Sequence, residues 1–570
     1  MYQDMNSKIV IYQLLPRLFT NTVTHPVSNG DIDTNGCGKL NDITSNVLRK
    51  IKTLGATHVW FTGIIEHATQ TDYTAFGIAK DHAAIVKGKA GSPYAIKDYY
   101  DIDPDLAQDV THRMNEFEAL IARTHQEGLQ VIIDFVPNHV ARQYHSDVKP
   151  SDTSDLGEHD IKEHAFDPLN NFYYIPNEPF APHFDLKGNE ETPYVEFPAK
   201  ATGNDLFSAN PTIHDWYETI KLNYGIDYVN GHTHHFDPIP DTWHKMRAIL
   251  HFWASKGIDG FRCDMAEMVP VEFWEWAIPQ ITHEFPTIIF IGEIYNPLAY
   301  HLFIEKGHFH FLYDKVGMYD TLRGIIMDYQ SARAISITWQ KTNDILPNML
   351  YFLENHDEQR IASTFFAEDP WRAIPGVIVA ATLSTSPLLI YAGQELGEKA
   401  NDAEGFSGMD GRTTIFDYWS VDSIRRWYNE GACDGAQLSA EEKSLRQFYQ
   451  TLLHIVQSEE AIFNGLMFDL MYVNYANPFF DANKQFAFFR KANSNLLLIA
   501  VNFDALCTDI QINIPQHAFE YLQIESDKVV TTIDLLTNQQ DTTQKLSFNE
   551  PFKIHLPAYS GKILKINMAN

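Results

Sequence analysis

Four polar motifs, each at the end of a short apolar run, contain the residue types that could do chemistry. They are Asp134-Phe-Val-Pro-Asn-His139, Arg262-Cys-Asp264, Glu293-Ile-Tyr295 and Glu354-Asn-His-Asp357. Several carboxylates beside an arginine, without a clear metal-ligand set, suit the cleavage of glycosidic bonds. In the retaining form of that reaction one carboxylate attacks the sugar and a second carboxyl group, about 5–5.5 Å away, acts as acid and base.

The stretch Gly257-Ile-Asp-Gly-Phe-Arg-Cys-Asp264 reads as a buried strand that ends in a carboxylate. Side chains alternate along a strand, so Arg262 and Asp264 leave it on the same face. We expect the guanidinium to keep the pKa of Asp264 low, which suits a nucleophile. Glu293 follows an apolar strand beside other carboxylates, so we expect a raised pKa and the role of acid. Asp357 remains as a third anion to stabilise a cationic transition state.

Apolar runs of strand length alternate with helical patterns along most of the chain. The runs cover residues 9–15, 58–64, 130–136, 258–264, 287–293, 349–355 and 387–393, with 309–313 as a weaker eighth; helical patterns cover 43–54, 110–127, 241–255 (with Asp241 as N-cap) and 441–457. Repeated β and α units of this kind predict an α/β protein with a closed (β/α)8 TIM barrel. In such a barrel all strand ends meet on one face, so the four motifs should converge.

One connection is much longer than a normal loop. After the third strand, residues 141–228 are rich in Pro, Asn, Asp, His and aromatics and show little periodicity, which predicts an inserted subdomain over that face. From about Gly465 short alternating strands predict a C-terminal antiparallel β-sandwich domain. The predicted division is 1–140 and 229–460 for the barrel, 141–228 for the insertion and 461–570 for the β-domain.

Composition limits the possible partners. The 570 residues carry 43 Lys and Arg against 74 Asp and Glu, a net charge of −31, which disfavours nucleic acid and anionic membranes. Four distant cysteines show neither a disulfide framework nor a zinc spacing. Residues 1–8 lack a signal-peptide pattern and no run reaches membrane-spanning length, so we expect a cytoplasmic protein. The oligomeric state stays open.

Taken together, the motifs resemble the signature regions of the α-amylase family of glycoside hydrolases (family 13). The matching residues are Asp134 to His139, Gly257 to Asp264, Gly292-Glu293 and Phe352-Leu-Glu-Asn-His-Asp357, and the similarity covers about residues 8 to 460. The resemblance implies Asp264 as nucleophile, Glu293 as acid/base and Asp357 as transition-state stabiliser of a retaining mechanism.

The same resemblance implies a set of substrate-binding residues. Arg262, His139 and His356 look like the family's nucleophile-orienting and hydroxyl-binding residues, and Asp134 looks like the aspartate that braces the arginine. Tyr94, in Ser92-Pro-Tyr-Ala-Ile-Lys-Asp98, is similar to the tyrosine that stacks under the sugar being cleaved.

Two departures from the family pattern affect substrate and calcium. A typical α-amylase carries Lys-His soon after the nucleophile, whereas this chain has Met265-Ala-Glu-Met268, which favours small malto-oligosaccharides, cyclodextrins or glycosyl transfer over starch. The stretch 31–39 resembles an N-terminal calcium loop, with Asp31, Asp33 and Asn35 as candidate ligands, but it ends in Lys39. Asn138 is a calcium ligand in many relatives, but its usual Lys-His partner is missing here. We therefore predict no required cofactor, with Ca²⁺ as an option.

The leading hypothesis is an α-glucan hydrolase that cleaves α-1,4-glucosidic bonds in malto-oligosaccharides, cyclodextrins or starch. A transglycosylase or α-glucosidase of the same family is the first alternative. A non-catalytic glycan-binding barrel, and a hydrolase whose metal is held by His139 and His356 with the acids, are the others. Two lesser signals, the histidines of 232–235 and Glu395 after the last strand, could each be functional or merely structural.

Overall fold

The computed structural model describes residues 7–540 and 543–568. Residues 1–6, most of the N-terminal stretch considered above for a signal peptide, lie outside the described residues. Eight strands, here β1 to β8, form one parallel sheet. They are Val10–Leu14, His58–Phe61, Gln130–Phe135, Gly260–Cys263, Ile289–Gly292, Phe311–Tyr313, Met349–Leu350 and Leu388–Tyr391.

The eight strands form the predicted barrel. Each strand pairs in parallel with its sequence neighbour from β1 to β7, and β8 returns to pair with β1. A parallel bridge between Tyr351, directly after β7, and Leu388 of β8 closes the ring. The weakest of the eight predicted runs is therefore a real strand, β6, whose three residues are all buried.

Helices between the strands cover the outside of the barrel. Their bounds are Pro16–Phe19, Ile32–Asn35, Ser45–Leu54, Arg113–Gln126, Asp241–Ser255, Val271–Glu284, Tyr300–Glu305, Asp320–Ile326, Arg333–Lys341, Ile374–Thr382, Asp422–Tyr428, Ala440–Ser458 and Glu460–Phe463. The long helix Ala440–Ser458 begins with a capping box between Ser439 and Glu442, which satisfies free N–H groups of the first turn. The predicted N-cap at Asp241 is wrong: Pro240 holds that position, and Asp241 is the first helical residue.

Short strand pairs fill the long connections of the barrel. Ile65–His67 pairs with Ile96–Ile102 after β2. In the predicted insertion, His139–Ala141 pairs with Thr219–Lys221, Tyr174–Ile175 with Ala199–Lys200, and Ile226–Asp227 with Thr233–His234. The first of these pairs starts at His139, so the insertion is hydrogen-bonded directly to the end of β3. This pairing places inserted residues beside the carboxyl ends of the barrel strands.

The C-terminal region is an antiparallel β-domain, as predicted. Its strands are Leu466–Asp469, Gln485–Ala492, Asn495–Asn502, Thr508–Ile512, Lys528–Asp534, Gln539–Gln540, Gln544–Leu546, Phe552–Leu556 and Ser560–Met568, with one helix, Gln516–Leu522. Thr508–Ile512 and Phe552–Leu556 form a separate two-stranded sheet beside the larger one. The last barrel helices end at Ser458 and Phe463, close to the predicted boundary at 460, which stays a prediction. Within the described ranges, no helix is both long and apolar enough to cross a membrane.

Candidate active site

The side chain of Arg262, on β4, lies between the acidic residues at the ends of neighbouring strands. Its Nη1 lies 2.7 Å from Oδ1 of Asp264, and its Nη2 lies 2.8 Å from Oε2 of Glu293. The backbone hydrogen bonds between barrel strands continue as far as both acids. The Asp264 N–H donates to the Phe135 carbonyl, and the Glu293 N–H donates to the Cys263 carbonyl. Backbone hydrogen bonds between neighbouring strands thus bring the two carboxyl groups to one guanidinium.

Arg262 is held in place by aromatic rings and one further acid. Its guanidinium lies 5.2 to 5.5 Å from the ring centres of Trp60, Tyr94 and Tyr313, and it is fully buried. Asp134 lies 3.4 Å from Nη1 and accepts a hydrogen bond from the Trp60 indole at 3.0 Å. The arginine cannot turn away from the acids without breaking this packing.

The acid–base state of Asp264 differs from our expectation. Burial raises the pKa of Asp264 well above its usual range, the Arg262 guanidinium lowers it, and the negative charges of Glu293 and Asp357 raise it further. The low pKa predicted from the arginine alone is therefore wrong. One guanidinium does not offset both the loss of water and two neighbouring anions.

Glu293 accepts hydrogen bonds at both carboxylate oxygens. The Met265 N–H donates to Oε2 at 2.7 Å, and the Tyr295 hydroxyl donates to Oε1 at 2.7 Å. Met265 reaches this position through a left-handed backbone conformation, with φ at 44°, which is strained for a side chain of its kind. The turn after Asp264 is therefore shaped so that its backbone contacts Glu293.

Asp357 is the most exposed of the three acids, with 38% of its side chain accessible. Burial raises its pKa, but the adjacent His356, whose Nε2 lies 3.0 Å from Oδ2, together with the charges of Arg262 and Arg412, outweighs that effect and lowers the pKa to about 2. Asp357 is therefore ionised at neutral pH. Asp357 is linked to the other two acids through contacts: His356 stacks on Tyr94, and the Tyr94 ring centre lies 5.2 Å from the guanidinium of Arg262.

His356 is held by two residues from other parts of the chain, Tyr94 in the loop before Ile96–Ile102 and Gln13 in β1. Its Nε2 lies 2.5 Å from the Tyr94 hydroxyl, and the two rings stack with centres 5.2 Å apart. Its Nδ1 lies 2.7 Å from Nε2 of Gln13. Gln13 was not predicted, although a glutamine inside the apolar strand β1 is the kind of signal that could have identified it. Trp60 of β2 was missed as well, since a tryptophan in an apolar strand reads as core.

His139 lies at the end of β3 against the insertion. Its ring centre is 5.2 Å from that of Trp216, an inserted residue, and its Nδ1 is 3.1 Å from the Asn138 amide nitrogen. Burial, with help from the Lys221 and Lys87 charges, lowers the pKa of His139 to about 3. The histidine is thus neutral at neutral pH, and the insertion forms one wall of the site.

Three of the four residues considered for calcium, Asp31, Asn35 and Asn138, are used for other bonds. In the N-terminal loop, Asp31 accepts the Thr34 N–H as a helix cap, and the Asn35 amide bonds to backbone groups of Val27 and Tyr418. At the second position, the ammonium of Lys221 lies 2.5 Å from the Asn138 amide oxygen. Neither arrangement fits a cation well, and calcium there stays a prediction.

Lys221 occupies a cage of oxygens. Besides Asn138, its ammonium contacts Oδ1 of Asp205 at 2.6 Å and the Met268 carbonyl at 3.3 Å. The lysine belongs to the inserted strand Thr219–Lys221, whereas Met268 follows the nucleophile candidate on the barrel. A covalently attached positive charge thus joins the insertion to the barrel where a bound ion would otherwise be expected.

Glu395 and the histidines of 232–235, the two further candidates from the sequence, contact none of the three acids among the described residues. Glu395 is fully buried and bonded to the Tyr12 hydroxyl, at 2.9 Å, which makes it a packing residue. Residues 232–235 are exposed and include one edge of a two-stranded sheet. The structure thus brings together Asp264, Glu293 and Asp357 with Tyr94, His139, Arg262 and His356, while their catalytic roles stay predictions.

Comparison with known proteins agrees with this geometry. The family model for the alpha amylase catalytic domain matches residues 13–288. Alpha-amylase 3 of Dictyoglomus thermophilum is 26% identical over 395 residues, 65% of this chain and 68% of the relative. Maltase A1 of Drosophila melanogaster is 27% identical over 253 residues, 44% of this chain, and that segment spans only 33% of the relative. The fold is shared with a noncanonic maltogenic alpha-amylase of Thermotoga neapolitana, with a TM-score of 0.63, 18% identity, and coverage of 99% of this chain and 100% of that one.

The structure is a parallel barrel with carboxyl groups gathered at one arginine. Residues 13–288 match the alpha amylase catalytic domain, and the similar proteins named above are alpha-amylases and a maltase.

Proposed function

We propose that this enzyme hydrolyses α-1,4-glucosidic bonds in malto-oligosaccharides, cyclodextrins or starch, with retention of configuration at the anomeric carbon. The observation that carries the proposal is the single guanidinium of Arg262 in contact with both Asp264 and Glu293. Such a pair supplies the nucleophile and the acid/base of a retaining glycosidase.

In the first step, the Asp264 carboxylate attacks the anomeric carbon. The bond from that carbon to the glycosidic oxygen breaks, and the oxygen receives the proton of Glu293, which gives a covalent glycosyl-enzyme. Asp357 stabilises the positive charge that develops on the sugar ring, because it remains ionised at neutral pH. Tyr94 supports the ring of the bound sugar, and His139 and His356 bind its hydroxyl groups.

In the second step, the Glu293 carboxylate takes a proton from water. The water oxygen bonds to the anomeric carbon on the face that the leaving group occupied, and the ester bond to Asp264 breaks. Two inversions leave the α configuration unchanged.

The raised pKa of Asp264 has to be reconciled with the role of nucleophile. Burial is the main cause of this raised pKa, and the Arg262 guanidinium opposes it. The reactive form carries a proton on Glu293 and the negative charge on Asp264, and Arg262 stabilises that form because it contacts both groups.

The test is product analysis with a substrate panel of starch, maltoheptaose, cyclodextrins, pullulan and trehalose. Shorter maltooligosaccharides released first as α-anomers support the proposal, with NMR as the readout of the anomer. Products longer than maltoheptaose would instead indicate a transglycosylase, and glucose as the sole product an α-glucosidase. Binding of these glucans without any cleavage would contradict the proposal and favour a glycan-binding barrel.

Tyr295→Phe should lower kcat/KM about tenfold, because the Tyr295 hydroxyl donates to Oε1 of Glu293 at 2.7 Å and holds the proposed acid in position. Tyr351→Phe is a matched control, since it removes a buried hydroxyl that has no hydrogen-bond partner among the described residues. Turnover of maltoheptaose by both variants is the measurement. An unchanged kcat/KM in Tyr295→Phe would show that this bond does not position the acid.

A further inference from the structure

A second group of acids lies in the strand pair Ile65–His67 and Ile96–Ile102, which follows β2. Carboxylate oxygens of Glu66, Asp98 and Asp101 all lie within 4.8 Å of one another. All three side chains are buried, with 1%, 0% and 3% exposure. Three buried carboxyl groups at this spacing repel one another strongly unless a proton or a cation separates them.

An irregular strand pairing brings the acids together. Glu66 pairs with Asp98, whereas its neighbour Ile65 pairs with Ile102, so Tyr99, Tyr100 and Asp101 form a bulge in the second strand. Without the bulge, the odd spacing from 98 to 101 would place the two aspartates on opposite faces of the strand. Bulges of this kind redirect side chains, and here the result is that Asp101 points to the side of Glu66 and Asp98.

Glu66 stands out because neither of its oxygens accepts a hydrogen bond from any described residue. The other two acids are partly satisfied: Asp98 accepts the N–H groups of Tyr100 and Asp147, and Asp101 accepts that of Ile102. Burial, followed by the charge of Asp98, raises the pKa of Glu66 to about 9. A buried carboxyl with two unpartnered oxygens, close to two other carboxylates, points to a ligand-binding position.

Among the described residues, positively charged side chains balance this cluster only in part. Arg113 donates to Asp101 at 2.9 Å, which balances one of the three charges. Lys97 donates to Asp81 at 3.1 Å and to the Ala79 carbonyl, so its hydrogen bonds go to other acceptors, while its charge partly lowers the pKa of Glu66. Asp147 adds a further nearby acid, because its charge raises the pKa of Asp101. The cluster therefore retains excess negative charge.

We propose that Glu66, Asp98 and Asp101 bind one divalent cation, with Ca²⁺ preferred over Mg²⁺. Carboxylate oxygens are the ligands that hard cations prefer, and separations of at most 4.8 Å fit within one coordination shell of Ca²⁺. Mg²⁺ demands a near-ideal octahedron and usually keeps several waters, whereas these three side chains are buried and irregularly placed on a bulged strand pair. The Ser146 hydroxyl, which lowers the pKa of Asp98 yet makes no regular hydrogen bond to a described residue, is a further oxygen within reach.

The position of this site suggests what the ion would stabilise. Tyr99, within the bulge, donates through its hydroxyl to the Val136 and His139 carbonyls at the end of β3. On the other side, the Asp147 N–H bonds to Asp98, and the His145 N–H bonds to the Lys97 carbonyl. The cation would thus fix the strand that supports both His139 and the first residues of the insertion.

The experiment uses the full-length protein, stripped with EDTA and dialysed, in calcium and magnesium titrations by calorimetry and by thermal unfolding. We expect one equivalent of Ca²⁺ to bind and to raise the unfolding temperature by several degrees, since a ligand that binds only the folded state stabilises it. Mg²⁺ should bind more weakly. A stripped protein that shows no saturable calcium binding would overturn the proposal and leave Glu66 as a protonated acid.

Glu66→Gln is the decisive variant because Glu66 accepts no hydrogen bond that the amide would lose. We expect at least about a 100-fold loss of calcium affinity, and no effect of EDTA on its unfolding temperature. Glu66→Asp keeps the charge but shortens the side chain and should weaken binding less, which provides a second test should the amide variant fold poorly. Asp31→Asn, in the exposed N-terminal loop, is the control and should bind calcium normally. Unchanged binding in both Glu66 variants, or its loss in the control, would overturn the assignment.

Discussion

Asp264→Asn is expected to lower kcat by on the order of 10⁴ to 10⁶, the range seen when a catalytic nucleophile is removed. The amide oxygen can keep the 2.7 Å contact with Arg262, and Oδ1 is the only atom of this carboxyl that accepts a hydrogen bond from a described residue. The fold should therefore remain intact. An amide cannot form the glycosyl-enzyme, so the loss should be the same for good and poor leaving groups. Turnover of maltoheptaose, measured beside the unfolding temperature, is the test.

The control for this prediction lies at the other end of the same strand. Asp259 precedes β4, bonds to His125 and accepts the Val131 N–H. Asp259→Asn removes one negative charge from the same segment but leaves the carboxyl pair untouched, so kcat should change little. Near-normal turnover in Asp264→Asn, with the unfolding temperature unchanged, would reject the assigned nucleophile and with it the proposed mechanism.

Glu293→Gln is expected to lower kcat by about 10² to 10⁴ with maltooligosaccharides, whose leaving group needs a proton. The fluoride of α-maltosyl fluoride leaves without being protonated. With this substrate, formation of the glycosyl-enzyme should therefore be nearly normal. That difference separates the acid from the nucleophile, since Asp264→Asn should be inactive with both substrates. Single-turnover rates with the two substrates provide the measurement.

This substitution should also reduce stability. Both oxygens of Glu293 accept hydrogen bonds, so one donor faces the new amide nitrogen and loses its acceptor, at a cost of about 1–3 kcal/mol. Glu267→Gln is the matched control, because Glu267 accepts two backbone N–H groups of the loop after β5 through a single oxygen. An equal loss of rate with both leaving groups would show that Glu293 is not the acid.

Sequence periodicity was sufficient to predict the barrel because parallel strands buried on both faces leave a nearly continuous apolar signal. It placed all eight strands within a few residues, including the three-residue β6. The insertion shows why the rest was harder. Its strands are two or three residues long, and what holds them is pairing to distant segments, such as His139–Ala141 to Thr219–Lys221, which no local pattern reveals.

The sequence predicted which residues form the candidate site, but it did not predict their pKa values. Position at a strand end is a local property, so Asp264, Glu293 and Asp357 could be identified from the chain alone. The pKa of Asp264 depends on burial and on two acids from other strands, and the arginine two residues away was given too much weight. Gln13, 343 residues from its partner His356, illustrates the same limit.

The ammonium of Lys221 makes this part of the protein independent of a bound metal ion. An ion can be lost to a chelating buffer or to dilution, but a side chain cannot leave the polypeptide. The junction it makes between Asn138, Asp205 and Met268 should therefore tolerate calcium-poor surroundings, and any sensitivity of the enzyme to chelators would have to originate at a different place, such as the acids around Glu66.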